Sequence, residues 1–326
     1  MTLPAAVAAC RAGVRRALAG LEPGTRVLVA CSGGADSLAL LSATVFEGHR
    51  AGLLVVGATV DHGLQEGSAA QAEEVVARMV RLGADETATA RVEVEPRGQG
   101  PEAAAREARY AVLSELADRV AARRVLLGHT LDDQAETVLL GLTRGSGGRS
   151  IAGMRPAFGV FVRPLLDVRR AQTEEACRAE GLEWWEDPHN ADPRFTRSRV
   201  RHSVLPLLER ELGPGVAETL ARTAALLRPD MEALDRIAEE EHRRLRVDDG
   251  LPLDRLQVLD EAIATRVLRL AALAAGAAPA ELFHVHVRAL AELAAGTVSG
   301  QVQLPGHVTA VREAGSLRFR RTTVES

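Results

Sequence analysis

The sequence contains no lysine, so arginine supplies all 40 of its basic residues. A Walker A phosphate loop ends in Gly-Lys followed by Ser or Thr, and a chain without lysine cannot build one. The glycine-containing stretch CSGGADS, residues 31–37, also lacks the GxGxxG spacing of the dinucleotide-binding fingerprint. The two commonest phosphate-binding loops are therefore excluded at this place.

Aromatic residues make up only 3% of the chain, and the three cysteines are isolated, without a CxxC pair. A core must therefore be built from Ala, Val and Leu, and no iron–sulfur or zinc site is evident. No apolar run reaches the ~20 residues that a membrane span needs. Arginines also interrupt the first 20 residues, where a signal peptide would need a continuous apolar segment. We expect a cytoplasmic protein with no membrane partner.

The chain of 326 residues is long enough for two domains. Charged residues make up 26% of it and the net charge is −4, so the chain as a whole is not a polycation. Binding to a nucleic acid would therefore need a local basic surface.

Residues 27–41, VLVACSGGADSLALL, join a short apolar run to a second apolar run through very small residues. A buried strand that turns through glycine into a helix N-terminus is a common cradle for phosphate, although a plain strand–helix turn is the alternative. Gly33 and Gly34 allow backbone N–H groups to approach an anion closely. Asp36 adds a negative charge there, which predicts a cation, Mg²⁺, between it and the phosphates. The predicted nucleotide contacts of this loop are Ser32, Gly33, Gly34, Ala35, Asp36 and Ser37.

Apolar patterns that fit strands and helices alternate through the first part of the chain. Predicted strands cover 25–31, 53–60, 89–94 and 124–127, and a further strand is predicted within 158–166. Predicted helices cover 1–20, 36–46, 68–82, 101–122, 132–143 and 169–180. This alternation indicates an α/β fold with a parallel sheet and helices on both faces.

The pattern becomes mainly helical from about residue 195, with long runs on either side of Gly213-Pro214-Gly215. We place a domain boundary there, which gives a first domain over 1–215 and a smaller, mainly helical domain over 216–326. Two more helices are predicted within 252–296. Residues 301–321 alternate like a β-hairpin with its turn near Ala314 and Gly315.

Polar residues follow three of the predicted strands at their carboxyl ends, where parallel sheets bind ligands. The phosphate-cradle loop follows the first strand, Asp61 and His62 follow the second, and Gly128 and His129 follow the fourth. We expect His62, Gly128 and His129 to join the nucleotide site, although a lone loop histidine is often merely structural.

The segment HTLDDQAET provides a cluster of acids at the start of a predicted helix. Asp133 and Glu136 are three residues apart and can meet on one face. They could hold Mg²⁺, or bind a cationic substrate and later accept its proton. Thr130 and Asp133 also fit a capping box, and Asp132 fits either a structural or a functional role.

Two groups of arginines could contact phosphate. Arg106 and Arg109, in AAREARY, share a helix face and could stabilise a transferring phosphoryl group. Arg197, Arg199 and Arg201 form a basic segment that could position a polyanion without reading its bases. A solvated, ion-paired helix face is the alternative for both groups.

The loop SGGADS resembles the PP-loop of the ATP pyrophosphatases, which cleave ATP between its α- and β-phosphates. Taken with six further motifs in order, it resembles one PP-loop family closely, the tRNA(Ile)-lysidine synthetases. Those motifs are VDHGLQ, AAREARY, LGHTLDDQAET, RGSGGRSIAGM, RPLL and DPHNADPRFTRSRVRH. The likeness is strong over about 25–210 and weaker over 216–326. Gln65 and Ser198 depart from the family pattern, where many members have Arg and Asn.

The resemblance implies a PP-loop domain of the adenine nucleotide alpha hydrolase type. It also implies a ligase that uses ATP, Mg²⁺ and L-lysine to convert the wobble cytidine of a CAU anticodon in tRNA(Ile) to lysidine. It assigns Arg109, Asp133 and Glu136 to catalysis and 32–37 to ATP, and it leaves a homodimer open. Adenylation of the cytosine 2-oxo oxygen would make it a good leaving group, and the lysine ε-amine would then attack carbon 2.

Two other kinds of protein remain as alternatives. A PP-loop tRNA thiolase would share the ATP chemistry, but it usually needs catalytic cysteines or a cluster. A non-catalytic ATP sensor would bind the nucleotide without consuming it and would leave the acid cluster without a task.

Overall fold

The computed structural model describes residues 3–61, 68–91, 101–145, 147–186, 192–246 and 250–322, with the backbone alone at 68 and 101–107. The chain divides into two compact units. The first comprises Met1–Thr143 and Gly153–Arg222, and the second comprises Arg144–Ala152 and Thr223–Ser326. The predicted nucleotide contact His62 and the family departure Gln65 lie outside the described residues, as does the side chain of Arg106.

The first unit alternates strands and helices. Its strands are β1 (Arg26–Ala30), β2 (Leu54–Asp61), β3 (Glu86–Arg91), β4 (Ala122–Leu126), β5 (Ala157–Phe158) and β6 (Phe161–Val162). Its helices include α1 (Ala5–Leu18), α2 (Ala35–Arg50), α3 (Ser68–Arg81), α4 (Pro101–Arg119), α5 (Leu131–Arg144), α7 (Arg170–Ala179), α8 (Thr196–Arg199) and α9 (Leu205–Leu212). A π-helical segment, Val200–Val204, joins α8 to α9.

The six strands form one sheet in the order β3-β2-β1-β4-β6-β5. All neighbouring strands are parallel except β5 and β6, which are antiparallel. Alternate residues of β1 enter different cores. Val27 and Val29 pack with α1, α2 and α7, whereas Leu28 packs with Leu113 and Leu116 of α4. The predicted α/β fold, with helices on both faces of a mostly parallel sheet, is confirmed.

The chain leaves β1 for β2 on one side and later returns to β4 on the other. Such a change of direction opens a crevice at the carboxyl ends of the two strands, where ligands bind in open α/β sheets. Residues 32–37 follow β1 and residues 128–130 follow β4, so the order of strands brings these two loops together.

The second unit contains mainly helices and a small sheet. Its elements are α6 (Gly148–Ile151), the later part of α10 (Val216–Leu245), β7 (Gly250–Pro252), α11 (Leu253–Leu256), α12 (Glu261–Ala274), α13 (His284–Ala295), β8 (Gln301–Leu304), β9 (Val308–Glu313) and β10 (Ser316–Arg321). Leu268, Leu290, Leu293 and Leu317 are buried in its core. Across the described ranges, no helix combines the length and apolar character needed to cross a membrane.

Two elements differ from the sequence-based expectation. Strand β3 begins at Glu86 and ends at Arg91, earlier than predicted, because it pairs with β2 in the register Val56↔Glu86 to Asp61↔Arg91. The predicted C-terminal hairpin is part of a four-stranded sheet, β7-β10-β9-β8. Its alternation is interrupted at Gly306 and His307, whose positive φ angles of 84° and 58° make an additional turn.

The contact-based division lies within α10, between Arg222 and Thr223. The boundary predicted near residue 215 lies earlier, just before this helix begins at Val216. One long helix therefore belongs to both units, and the contact pattern also assigns residues 144–152 to the second unit.

Candidate active site

The loop after β1 is shaped by two glycines. Gly33 has φ of 84°, and a Cβ atom at this position would lie 2.7 Å from Val75 Cγ2, so both conformation and space favour glycine. Gly34 is the N-cap of α2, which begins at Ala35. The N–H groups of the first turn of a helix have no acceptor within that helix, so this end of α2 can bind an anion.

Two serines brace this loop from within. Ser37 Oγ donates a hydrogen bond to the Gly34 carbonyl at 2.9 Å and accepts one from the Ser32 N–H at 3.2 Å. Ser32 Oγ also lies 3.4 Å from Ser37 Oγ. The buried Ser37 hydroxyl therefore fixes the loop conformation, and its predicted contact with nucleotide stays a prediction.

The loop after β4 contacts the loop after β1 at Gly128. A Cβ atom on Gly128 would lie 3.2 Å from the Asp36 carbonyl carbon and from Ser37 Cα. This close approach explains the glycine after β4. His129 follows it, and its Nδ1 accepts a hydrogen bond from Arg163 Nε at 3.3 Å. The predicted residue Gly128 thus lies beside the start of α2, and His129 follows it in the chain.

Asp36 projects from the first turn of α2 toward the start of α7. Its Oδ1 accepts a hydrogen bond from Thr173 Oγ1, and its Oδ2 lies 3.4 Å from Arg170 Nε. Burial raises the pKa of the Asp36 carboxyl from 3.8 to about 6, and Asp133 also raises it, whereas Arg170 and Thr173 oppose the rise. A buried carboxylate of this kind gains from a further positive charge nearby.

Asp133 serves two tasks at the start of α5. Its Oδ2 accepts hydrogen bonds from the Thr130 N–H at 2.8 Å and from Thr130 Oγ1 at 3.0 Å, so the predicted cap is present. Its Oδ1 instead faces Arg170 and Arg201. Burial opposes ionisation of Asp133, but Arg170, Arg197 and the Thr130 N–H outweigh it and hold its pKa at about 2.

Glu136 is completely buried and lies beside Asp133 on α5. Arg197 Nε donates to Glu136 Oε2 at 2.8 Å, and Arg201 Nε donates to Oε1 at 2.8 Å. Arg170 Nη1 lies 3.4 Å from Oε1. We call Asp36, Asp133 and Glu136, with Arg170, Arg197 and Arg201, the ion cluster.

The ion cluster changes how the basic segment is interpreted. Arg197 and Arg201 were predicted to contact an RNA backbone, but their guanidinium groups bind the carboxylates of α5, and their side chains are only 25% and 21% exposed. Arg199 differs from both. Its guanidinium donates to the carbonyls of Pro193 and Arg194 and to Thr196 Oγ1, and its side chain is exposed.

Two other predicted residues, Arg109 and Asp132, lie on α4 and α5. Arg109 is exposed on α4, and the described contacts that hold Asp133 and Glu136 come from other arginines. Its neighbour Tyr110 accepts a hydrogen bond from Arg163 Nη2 at 3.0 Å. Asp132 accepts from the Arg170 N–H at 2.7 Å and lies 3.2 Å from Arg169 Nε, so it anchors the start of α7.

Sequence reasoning missed Arg170, Thr173 and Arg163 as site residues. Arg170 and Thr173 belong to the first turn of α7, a helix that was predicted over 169–180 without any functional residue. The motif RPLL, residues 163–166, shortly precedes that helix, and the pair Arg169-Arg170 stands at its start. A strand followed by arginines at a helix start is a signal that could have placed them at the same edge of the sheet.

Comparison with known proteins assigns both parts of the chain. A family model described as a PP-loop domain matches residues 11–208, and one described as the TilS substrate binding domain matches residues 251–318. The tRNA(Ile)-lysidine synthase of Thermobifida fusca is 55% identical over 291 residues, covering 89% of this chain and 90% of that protein. The chain belongs to the tRNA(Ile)-lysidine synthase family.

Further members of this family support the same assignment. The tRNA(Ile)-lysidine synthase of Streptomyces coelicolor is 51% identical, covering 93% of this chain and 87% of that protein.

Among solved structures, the U34-tRNA thiolase NcsA from Methanococcus maripaludis, with its 4Fe-4S cluster, matches with a TM-score of 0.58 at 17% identity. That match covers 68% of this chain and 80% of the thiolase chain, and it bears on the fold alone.

Proposed function

We propose that this protein is a ligase that joins L-lysine to the wobble cytidine of the CAU anticodon of tRNA(Ile), with ATP as the source of energy. The cytosine 2-oxo oxygen first receives AMP and pyrophosphate leaves. The lysine ε-amine then attacks carbon 2 of the ring, and AMP departs with the oxygen. The observation that carries this proposal is the ion cluster, which joins the ATP loop to a buried pair of acids.

The loop over 32–37 is suited to the ATP phosphates. It offers the start of α2 and a glycine-lined turn that is braced by Ser37. In this proposal Gly33, Gly34 and Ala35 contact phosphate oxygens through the backbone, and Ser32 adds a hydroxyl. Gly128 allows its loop to approach the start of α2 closely, and His129 is proposed as a further nucleotide contact. The contact proposed from the sequence for His62 lies outside the described residues.

Asp36 is the proposed Mg²⁺ ligand. Among the described residues, no group of three or more His, Cys, Asp and Glu side chains is arranged to hold a metal ion by itself. Mg²⁺ in nucleotide enzymes is commonly held by one or two carboxylates together with substrate phosphates and water. The buried Asp36 fits that role, since a bound cation would favour its ionised form and would neutralise phosphate charge.

Asp133 and Glu136 are the proposed residues for the lysine side chain. The ε-amine has a solution pKa of ~10.4, so it must lose a proton before it can attack. A pair of carboxylates can bind the ammonium form, and one of them can accept the proton. Asp133, with its pKa of about 2, remains ionised and is suited to binding. Glu136 is the better candidate for the proton. Arg109, on α4, would stabilise charge on the transferring adenylyl group.

The tRNA is the remaining substrate. The second unit contains the region that matches the TilS substrate binding domain, which supports a role in binding tRNA. In the first unit we assign a phosphate contact to Arg199, since the guanidinium groups of Arg197 and Arg201 bind Glu136. A homodimer also remains a proposal, which sedimentation at two protein concentrations would test.

A thiolase is the rival with the same ATP chemistry, and the cysteines argue against it. Cys10, Cys31 and Cys177 are all buried, and burial raises the pKa of each thiol. A catalytic cysteine needs the opposite change, because the thiolate is the reactive form.

Release of AMP provides the test of the proposed reaction. The protein is incubated with ATP, Mg²⁺ and a tRNA(Ile) transcript, with and without L-lysine. Sustained release of pyrophosphate and AMP is expected only when both tRNA and L-lysine are present. Asp36→Ala should abolish this release, whereas Asp167→Ala, at an exposed residue, should retain it. ATP turnover without tRNA or lysine would contradict the proposal, and so would full turnover in Asp36→Ala.

A further inference from the structure

Arg170 contacts all three carboxylates of the ion cluster. Its Nη2 lies 2.8 Å from Asp133 Oδ1, its Nη1 lies 3.4 Å from Glu136 Oε1, and its Nε lies 3.4 Å from Asp36 Oδ2. One guanidinium group thus joins the ATP loop on α2 to the acid pair on α5. The proposed nucleotide site and the proposed lysine site are therefore linked through a single side chain.

The charges of the ion cluster cancel among the protein's own side chains. Three carboxylates face three guanidinium groups. The carboxylates also raise the pKa of Arg170 and keep it charged, although burial works against this. A lysine ammonium that entered this cluster would be a fourth positive charge beside two acids already neutralised. Its binding is unfavourable unless one guanidinium moves away.

Arg170 is the arginine best placed to move. Its bonds to Glu136 and Asp36 are both 3.4 Å long, whereas Arg197 and Arg201 each hold Glu136 at 2.8 Å. Its one short bond is to Asp133, at 2.8 Å, and its side chain is 21% exposed, similar to those of Arg197 and Arg201. It also lies within contact distance of Asp36, two residues after the N-cap Gly34, where the proposed phosphates would offer it new oxygen partners.

We propose that Arg170 occupies the place of the lysine ammonium in the substrate-free protein and leaves it when ATP binds. The phosphates attract the guanidinium, and the space beside Asp133 and Glu136 then accepts the substrate cation. ATP and L-lysine therefore bind in order, and each strengthens the binding of the other. This inference rests on the proposed function, and it makes Arg170 a positioning residue whose effect appears in the coupling between two ligands.

Calorimetry measures this coupling directly. The dissociation constant of L-lysine is determined with and without Mg²⁺ and α,β-methylene-ATP, an analogue that cannot release pyrophosphate. In the unmodified protein, lysine should bind at least tenfold more tightly when the analogue is present. In Arg170→Met, lysine should bind about equally well in both conditions, because the competing cation is gone. By linkage, lysine must change the affinity for the analogue by the same factor.

A second arginine of the same helix supplies the control. Arg178 is exposed near the end of α7 and pairs with Glu174, and not with the three carboxylates, in the described contacts. Arg178→Met should keep the coupling of the unmodified protein. Arg170→Lys is the second test variant, to be used if Arg170→Met does not fold. It keeps the charge but cannot span three carboxylates, and its coupling should fall at least threefold.

Two results would overturn the inference. One is an affinity for lysine that does not depend on the analogue in the unmodified protein. The other is coupling in Arg170→Met or Arg170→Lys that equals that of Arg178→Met. Either result, with lysine still bound and still joined to tRNA, would leave the proposed function standing. Loss of lysine binding in every condition, with no lysine joined to tRNA, would contradict both this inference and the proposed function.

Discussion

Glu136 shows how strongly a single residue organises this site. Its carboxylate has no exposure to solvent and accepts hydrogen bonds from Arg197 and Arg201. A buried charge is tolerated only when it is paired, and removal of one partner leaves the others uncompensated. The same residue is therefore important for stability and is the proposed proton acceptor.

Glu136→Gln should lower the free energy of unfolding by about 3 kcal/mol, because the arginines around it lose a buried counter-charge. Urea unfolding measures this change. Glu115→Gln is the matched control, since Glu115 pairs with Arg119 at an exposed position on α4 and should change stability by under ~0.5 kcal/mol. Equal stability of the two variants would show that the buried pairs contribute nothing.

The raised pKa of Asp36 predicts an unusual dependence of the free energy of unfolding on pH. Its pKa in the folded protein is about 6, above the ordinary 3.8, so the folded state binds a proton more readily between these values. Its contribution to stability is greatest at low pH and falls as pH rises through about 6, by at most about 3 kcal/mol. The pKa of Asp133 is about 2, so its own loss of stabilisation occurs only at lower pH, between about 4 and 2.

Asp36→Asn should remove this dependence. The variant should gain stability relative to the unmodified protein at pH 7.5, and the gain should shrink at pH 5. Urea unfolding at both values measures the difference. Asp167→Asn, at a side chain that is 83% exposed, should show no such change between the two pH values. A difference between Asp36→Asn and the unmodified protein that is the same at both values would contradict the raised pKa.

At the scale of single residues, the sequence predicted the positions of the acidic site residues better than it predicted which residues bind them. The spacing of Asp133 and Glu136 placed both on one face of α5, and Thr130 identified the cap, because these depend on local periodicity. The arginines that bind the acids come from residues 170, 197 and 201, far away in the chain. Their contacts depend on the tertiary fold, so a basic segment with inward-facing guanidinium groups could not be told from an RNA-binding surface.

At the scale of elements, the start of α7 connects most of the site. Thr173 donates to Asp36, Arg170 contacts all three carboxylates, and the backbone of Arg170 donates to Asp132. Helix α7, which was predicted without any functional residue, thus connects the ATP loop to α5.

Thr173→Val keeps the shape of a completely buried side chain and removes its hydroxyl. Asp36 then loses one hydrogen bond, worth about 1 kcal/mol, so the KM for ATP should rise about fivefold with a smaller change in kcat. Pyrophosphate exchange with tRNA measures both constants. Thr143→Val, at an exposed hydroxyl near the end of α5, should leave them unchanged. An unaltered KM in Thr173→Val would show that this bond does not position Asp36.

The long elements of the first unit were predictable because apolar periodicity is a local signal. Strands β1 and β2 and helices α2 and α5 were found near their predicted positions. A strand was also predicted within 158–166, where β6 lies, but its bounds could not be predicted. Strands β5, β6 and β7 have only two or three residues each, too few to show alternation. They exist because neighbouring strands supply hydrogen-bond partners, which is a property of the fold and not of the segment.

At the scale of the whole molecule, a net charge of −4 means that tRNA must be bound through local positive surfaces. The sequence could not identify them, since arginine is the only basic side chain other than histidine and is spread over the entire chain. The structure separates arginines that bind carboxylates from those, like Arg199, that bind neutral carbonyls.

Arg199→Gln should weaken tRNA binding and lower the slope of log affinity against log salt by about one, because one phosphate contact is lost. Filter binding at several salt concentrations measures this slope. Arg210→Gln, at an exposed residue paired with Glu211, is the control and should keep the original slope. A slope that is unchanged in Arg199→Gln would assign this arginine to a solvated surface.

The most direct test of the proposed reaction follows labelled lysine. The protein is incubated with ATP, Mg²⁺ and labelled L-lysine, together with a tRNA(Ile) transcript that carries the CAU anticodon or one whose wobble cytidine is replaced by uridine. We predict that labelled lysine enters the transcript with the wobble cytidine and not the one with uridine. The Asp36→Ala variant should join no labelled lysine to either transcript. Equal labelling of both transcripts, or no labelling of the first, would contradict the assignment of this chain as a ligase for the wobble cytidine.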